Sequence, residues 1–156
     1  MEVWLKNLAT CGDKIAVAES CTGGWVAARL TDGAGASLYF AGGAVTYTEA
    51  VKARVLGVPL AMLEQYGAVS ESVARAMLQG VLRLYQATWG IATTGFAGPG
   101  GGTPENPVGT VYIATGQADK IKVCRYVWAG SRDYVRQQAA SAAVLQLERQ
   151  WTTKED

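Results

Sequence analysis

Apolar positions along the 156-residue chain follow two alternating rhythms. Residues 2–11 place Val3, Leu5 and Leu8 on the apolar side of a short helix, and "KIAVA" (14–18) follows as an apolar run long enough for a buried strand. A helix starting near Thr22 carries Trp25, Val26, Ala28 and Leu30 until "TDGAGAS" breaks it. "LYFAGGAVTY" (38–47) is β-rich, and its Gly42-Gly43 pair marks a bulge or a close backbone approach. "TEAVKARVLGV" (48–58) is helical, with Thr48 as N-cap, Glu49 in the first turn, and Gly57 and Pro59 as a stop. Val73, Ala74, Met77, Leu78, Val81, Leu82 and Tyr85 form one continuous helical face capped by Ser70. "TWGIATT" (88–94) is a strand, and residues 95–109 form the longest glycine- and proline-rich loop. "TVYIAT" and "KVCRYVW" flank Gly116–Asp119 as a hairpin. A last helix, capped by Ser131, turns Ala140, Ala143, Val144, Leu147 and Trp151 inward, and the tail "TTKED" is expected to fray. Strands alternate with helices through residue 94 and a hairpin then closes the sheet. That order predicts an α/β fold, a three-layer α/β/α sandwich with a mixed β-sheet, as a single domain over 1–156.

Composition narrows the chemistry. Apolar residues are 49% and charged residues 17% of the chain, the balance of a packed domain. The formal charge is +1 with no basic run, which argues against nucleic acid or an anionic membrane as partner. No apolar stretch approaches the roughly 20 residues of a membrane helix, and no signal peptide is visible. Cys11, Cys21 and Cys124 form no CxxC pair, so a reducing cytoplasm is the expected location. The chain contains no histidine. A Ser-His-Asp triad, a Cys-His pair and a His-ligated metal are all excluded.

In open α/β sheets, ligands bind beyond the carboxyl ends of the parallel strands. "ESCTGG", "TYTEAVK" and "TTGFAGPGGG" each follow a predicted strand there. In "ESCTGG", Ser20 or Thr22 could simply cap the next helix. Alternatively Ser20 stands exposed at a sharp turn as a nucleophile, with the following backbone N–H groups and the helix N-terminus facing an oxyanion or a phosphate. The loop at 95–102 is either an irregular surface loop or a backbone cradle for phosphate or sugar, and it lacks the Walker A lysine. Lys52 reads first as an ordinary solvated lysine. A serine nucleophile without histidine nevertheless needs another base, and a lysine can serve if burial lowers its pKa. Lys6, Lys14, Lys120, Lys122 and Lys154 are more poorly placed. Tyr47, closing the second strand, is a rim aromatic or a group that stacks on a base or hydrogen-bonds the dyad.

Taken together, "AESCTGG", "GGAVTYTEAVKARVLGV", "GAVSESVARAM", "TTGFAGPGGGTPENPVGTVYIA" and "GSRDYVR" make the sequence resemble the CinA C-terminal-domain family, the bacterial nicotinamide-nucleotide amidases. The resemblance runs from about residue 4 to 150, with the motifs in family order. It implies hydrolysis of the carboxamide of nicotinamide mononucleotide to nicotinate mononucleotide and ammonia by a serine–lysine pair, with no metal or cofactor. The matching positions are Ser20 as nucleophile, Lys52 as base and Tyr47 beside them. Cys21, Thr22, Gly23, Gly43, Thr94, Gly95, Gly98 and Arg132 are the expected substrate contacts, with a Cys21 or Thr22 amide serving the oxyanion. The resemblance also implies a homodimer. Phe96 and Gly100, and "TEAVK" where "SNEAK" is commoner, depart from the family pattern. Many members carry a further N-terminal domain with a different hydrolytic activity, and this chain is expected to be the C-terminal domain alone. A mononucleotide-binding module that keeps the cradle without turnover is the rival reading.

Overall fold

The computed structural model describes residues 2–153. In chain order the elements are α1 (Val3–Thr10), β1 (Ile15–Glu19), α2 (Trp25–Thr31), β2 (Phe40–Val45), α3 (Glu49–Leu56), α4 (Leu60–Tyr66), α5 (Glu71–Tyr85), β3 (Trp89–Gly95), β4 (Thr110–Gln117), β5 (Lys120–Val127) and α6 (Arg132–Thr152), with a single 3-10 turn at Ala36–Leu38 before β2. The five strands form one mixed sheet in the order β2-β1-β3-β4-β5. β1 pairs parallel to both β2 and β3, whereas β3–β4 and β4–β5 are antiparallel. This is the α/β/α sandwich that the alternating pattern predicts.

The two faces of the sheet are built from different residues. Ile15, Val17, Trp89, Ile91, Val111 and Ile113 point toward α1, α2 and α6, where they meet Trp4, Leu8, Val26, Leu30 and Leu147. The alternate positions, Ala16, Ala18, Ala92 and Ala114, face α5 with Val73, Met77, Leu78 and Val81. Period-two alternation sorts the side chains, and the small ones let α5 lie close to the strands. Gly90 shows how close: a Cβ there would stand 2.6 Å from Leu78 Cδ1 and 3.0 Å from Leu82 Cδ2.

Local capping works as the sequence predicts at three helices. Thr48, Ser70 and Ser131 each accept a backbone N–H from the first turn, and Gly57 closes α3 in the left-handed region at φ 70°. Three boundaries differ. Pro59 is read as a stop, yet it is also the N-cap of α4, because proline's missing N–H costs nothing at a helix start. α2 begins at Trp25 and not near Thr22, since Gly23 and Gly24 take positive φ and form a turn first. At the chain end, α6 continues through Thr152; of the expected frayed tail, Lys154 to Asp156 lie outside the described residues.

The connection after β1 runs through α2 on one face, and the connection after β2 runs through α3, α4 and α5 on the other. The two connections therefore diverge to opposite faces beside β1, which leaves a crevice beyond its carboxyl end.

Candidate active site

The crevice is organised around the end of β1. Ser20 follows the last strand residue and is 7% exposed. Its N–H donates to Thr93 O at 3.2 Å, while its carbonyl accepts from Gly23 N at 3.0 Å, which folds the turn back on itself. Glu19, buried just before it, sends its carboxylate to the start of α2. Its two oxygens accept from Val26 N at 2.9 Å and Ala27 N at 3.0 Å. A carboxylate is the favoured cap for the positive end of a helix dipole. This overturns the expectation that Ser20 or Thr22 caps α2, and it also closes that helix N-terminus to a phosphate or an oxyanion. Thr22 is fully buried, and its hydroxyl pairs instead with Thr93 Oγ1 at 2.8 Å.

Lys52, presented by α3, is 1% exposed despite the solvated position its helix pattern implies. Its Nζ lies 2.9 Å from Ser20 Oγ, 2.8 Å from Thr46 O and 3.1 Å from Tyr47 O. Burial lowers its pKa from 10.5 to about 8, against the opposing pull of Cys21 and Glu49. As an ammonium, Nζ donates all three bonds, to Ser20 Oγ and the two carbonyls. Once one proton is lost, two N–H groups still serve the carbonyls and a lone pair is left facing Ser20 Oγ. Cys21 contrasts with it. Burial raises its thiol to about 11, even with Lys52 and Arg136 nearby. A thiol at that value stays protonated at neutral pH and is a poor nucleophile.

The cleft in front of the pair encloses about 250 Å³ and brings together Ser20, Cys21, Tyr47, Lys52, Thr94, Gly95, Gly98 and Arg132. The Thr94 hydroxyl donates to Ala68 O at 2.7 Å, tying the end of β3 to the segment before α5. Arg132 closes one side, donating from Nη1 to Gly98 O and from Nη2 to the Tyr47 hydroxyl, both at 2.8 Å. Tyr47 is half-exposed; its ring hydroxyl belongs to Arg132, and its backbone carbonyl is the part that touches Lys52.

Three expected contacts lie outside this lining. Thr22 points behind the turn, as described. Gly23 faces Arg136, whose Nη2 would stand 3.0 Å from an added Cβ. Gly43 sits within β2 opposite Val17, and its carbonyl accepts the Tyr85 hydroxyl at 2.8 Å. Its lack of a side chain serves strand packing, because a Cβ would collide with Val17. Conversely, Ala68, Val69 and Phe96 line the cleft with no polar signal in the sequence to mark them. Glu19 was legible as a carboxylate ending an otherwise apolar run, which needs a buried partner. Among the described residues, no group of three or more Cys, Asp or Glu side chains is placed to hold a metal ion, and no helix is long and apolar enough to cross a membrane.

Comparison with known proteins bears on the whole of this arrangement. The family model of the CinA C-terminal domain matches residues 1–151. A CinA-like protein of Anaeromyxobacter dehalogenans (strain 2CP-C) is 50% identical over 138 residues, covering 88% of this chain and 34% of that protein. A CinA-like protein of Geobacter sulfurreducens is 47% identical over 142 residues, covering 91% and 34%. The chain thus spans about a third of the length of these curated relatives. Among solved structures, a competence-damaged protein (CinA) superfamily protein of Klebsiella pneumoniae superposes with a TM-score of 0.91 at 34% identity, covering 96% of this chain and 94% of that one. The competence/damage-inducible protein CihA of Agrobacterium tumefaciens gives 0.88 at 36% identity, covering 92% and 88%. Matched along nearly its full length in sequence and in fold, this chain belongs to the CinA C-terminal domain family.

Proposed function

We propose that the chain is an amidohydrolase that releases ammonia from the carboxamide of nicotinamide mononucleotide. The observation that carries this reading is the 2.9 Å contact between Ser20 Oγ and a buried Lys52 whose pKa is lowered to about 8. A serine hydroxyl at the mouth of a cleft, beside a lysine that loses its proton near neutral pH, is an activated nucleophile. At pH 7 about a tenth of such a lysine is neutral, enough to act as a general base.

Ser20 Oγ attacks the carboxamide carbon as its proton passes to Lys52. The carbonyl oxygen becomes an oxyanion, met by backbone N–H groups of the Cys21–Thr22 turn. The intermediate collapses, the C–N bond breaks, and the Lys52 ammonium returns the proton to departing ammonia. Water then attacks the acyl-serine, giving up a proton to Lys52, which passes it to Ser20 Oγ as the carboxylate leaves. Arg132 keeps a full positive charge at the cleft wall while holding Gly98 and Tyr47, and it is the group to receive the phosphate.

The test pairs turnover with binding. Ammonia release from nicotinamide mononucleotide is expected, together with thermal stabilisation by the same compound and much poorer turnover of the riboside lacking phosphate. Stabilisation without ammonia would instead make the chain a mononucleotide-binding module.

A further inference from the structure

Arg136, four residues beyond Arg132 on α6, does not line the cleft but grips the nucleophile turn from behind. Its Nε donates to Cys21 O at 2.9 Å, and its Nη2 reaches Thr22 O at 3.5 Å. The guanidinium lies over the Trp25 ring with Cζ 3.9 Å from the ring centroid. Gly23 lets the turn come this close, since an added Cβ would stand 3.0 Å from Nη2.

The consequence follows from peptide geometry. In a trans peptide the C=O and the next N–H point in opposite directions. Holding Cys21 O toward α6 therefore turns Thr22 N–H away from Arg136. Thr22 O is held mainly by Trp25 N–H at 3.1 Å, with Arg136 Nη2 at the edge of reach, and Gly23 N–H of the same peptide goes to Ser20 O. The Ser20 carbonyl is fixed by that bond, so Cys21 N–H is turned away from it. A guanidinium on the carbonyl also polarises the peptide and strengthens the N–H as a donor. We infer that Arg136 is a positioning residue that sets, from behind the turn, the backbone donors that meet the oxyanion at Ser20. The inference rests on Ser20 being the nucleophile of the proposed reaction.

Arg136→Lys keeps charge and stem but loses the planar fork that reaches two carbonyls; Arg136→Gln removes the charge as well. Two readouts apply to wild type and both variants. One is ammonia release from nicotinamide mononucleotide. The other is labelling by a fluorophosphonate, in which Ser20 Oγ bonds to phosphorus, fluoride leaves, and the serine proton passes to Lys52. The expected result for Arg136→Lys is a kcat lower by about ten- to a hundredfold, less than the roughly 10²–10³ of deleting an oxyanion donor outright. KM should stay within about twofold. Labelling should slow in parallel yet still reach the wild-type end point, and the rise of kcat/KM with pH should be unmoved. Arg136→Gln should be slower still. Wild-type kcat and labelling rate in both variants would overturn the role of Arg136 alone. So would a raised KM with unchanged kcat, or a smaller labelled fraction at an unchanged rate, which is the signature of partial unfolding. A wild-type protein that neither labels at Ser20 nor releases ammonia would remove the nucleophile, and the positioning role with it.

Discussion

The contact between α5 and the sheet and the seat of Lys52 both bury their side chains, but only the second opens on a cleft, and they are built on opposite terms. In the first, Met77, Leu78 and Val81 meet alanines of β1, β3 and β4, and each fully buried apolar side chain contributes about 1.5–3 kcal/mol. In the second, an amine is confined among a serine and two carbonyls. The shift of Lys52 from 10.5 to about 8 corresponds to about 3 kcal/mol against the charged form, at 1.36 kcal/mol per unit. One region supplies stability, and the other uses some of it to hold an ammonium that gives up its proton more readily.

The largest expected effect lies wholly on the second side. Ser20→Ala should lower ammonia release by at least about 10³-fold in a folded protein, and Lys52→Arg should fail nearly as badly because guanidinium cannot accept the serine proton. Cys21→Ala should retain substantial activity. In the wild type, kcat/KM should rise about tenfold per pH unit up to about 8 and then level off, as the neutral amine accumulates. Near-normal turnover in Lys52→Arg would take the lysine out of the chemistry.

Met77→Ala probes the other side. It should cost about 2–5 kcal/mol in chemical denaturation while leaving kcat per folded molecule unchanged. A lost kcat without lost stability would mean that the two regions are coupled in a way their separate packing does not show.

Lys52→Met should combine the two signatures, dead in turnover yet more stable than wild type at pH 7 by up to about 3 kcal/mol, less what two undonated carbonyls cost. The folded-state pKa lies below the ordinary one, so between about 8 and 10.5 the unfolded chain binds more protons and wild-type stability rises with pH. The advantage of Lys52→Met should accordingly narrow across that window. A constant difference from pH 7 to 10.5 would refute the stored cost.

The smallest effect concerns Thr46, whose fully buried hydroxyl has no hydrogen-bond partner among the described residues. Lys52 uses the Thr46 carbonyl instead. Thr46→Val should therefore leave kcat within about twofold and change stability by no more than about 1 kcal/mol, in the stabilising direction. A large loss of activity would show that the hydroxyl belongs to the site.

What the sequence determined by itself was whatever neighbouring residues decide together. The apolar face of α5, the Ser70 and Ser131 caps, the buried run of β1 and the hairpin all rest on interactions within a few positions. The absence of histidine is a matter of composition alone, and it leaves a lysine as a candidate base for a serine nucleophile. α4 is not legible in the sequence, because seven residues after a proline carry too short a periodic signal. Only the tertiary structure decided that Lys52 is buried, since its environment comes from a turn 32 residues earlier in the chain. It also decided that Glu19 caps α2, that Gly43 serves strand packing, and that Arg136 holds a turn 115 residues away. Local pattern cannot encode these. A charged side chain's burial and partners depend on which strands and helices arrive beside it, and those contacts exist only once the sheet has closed.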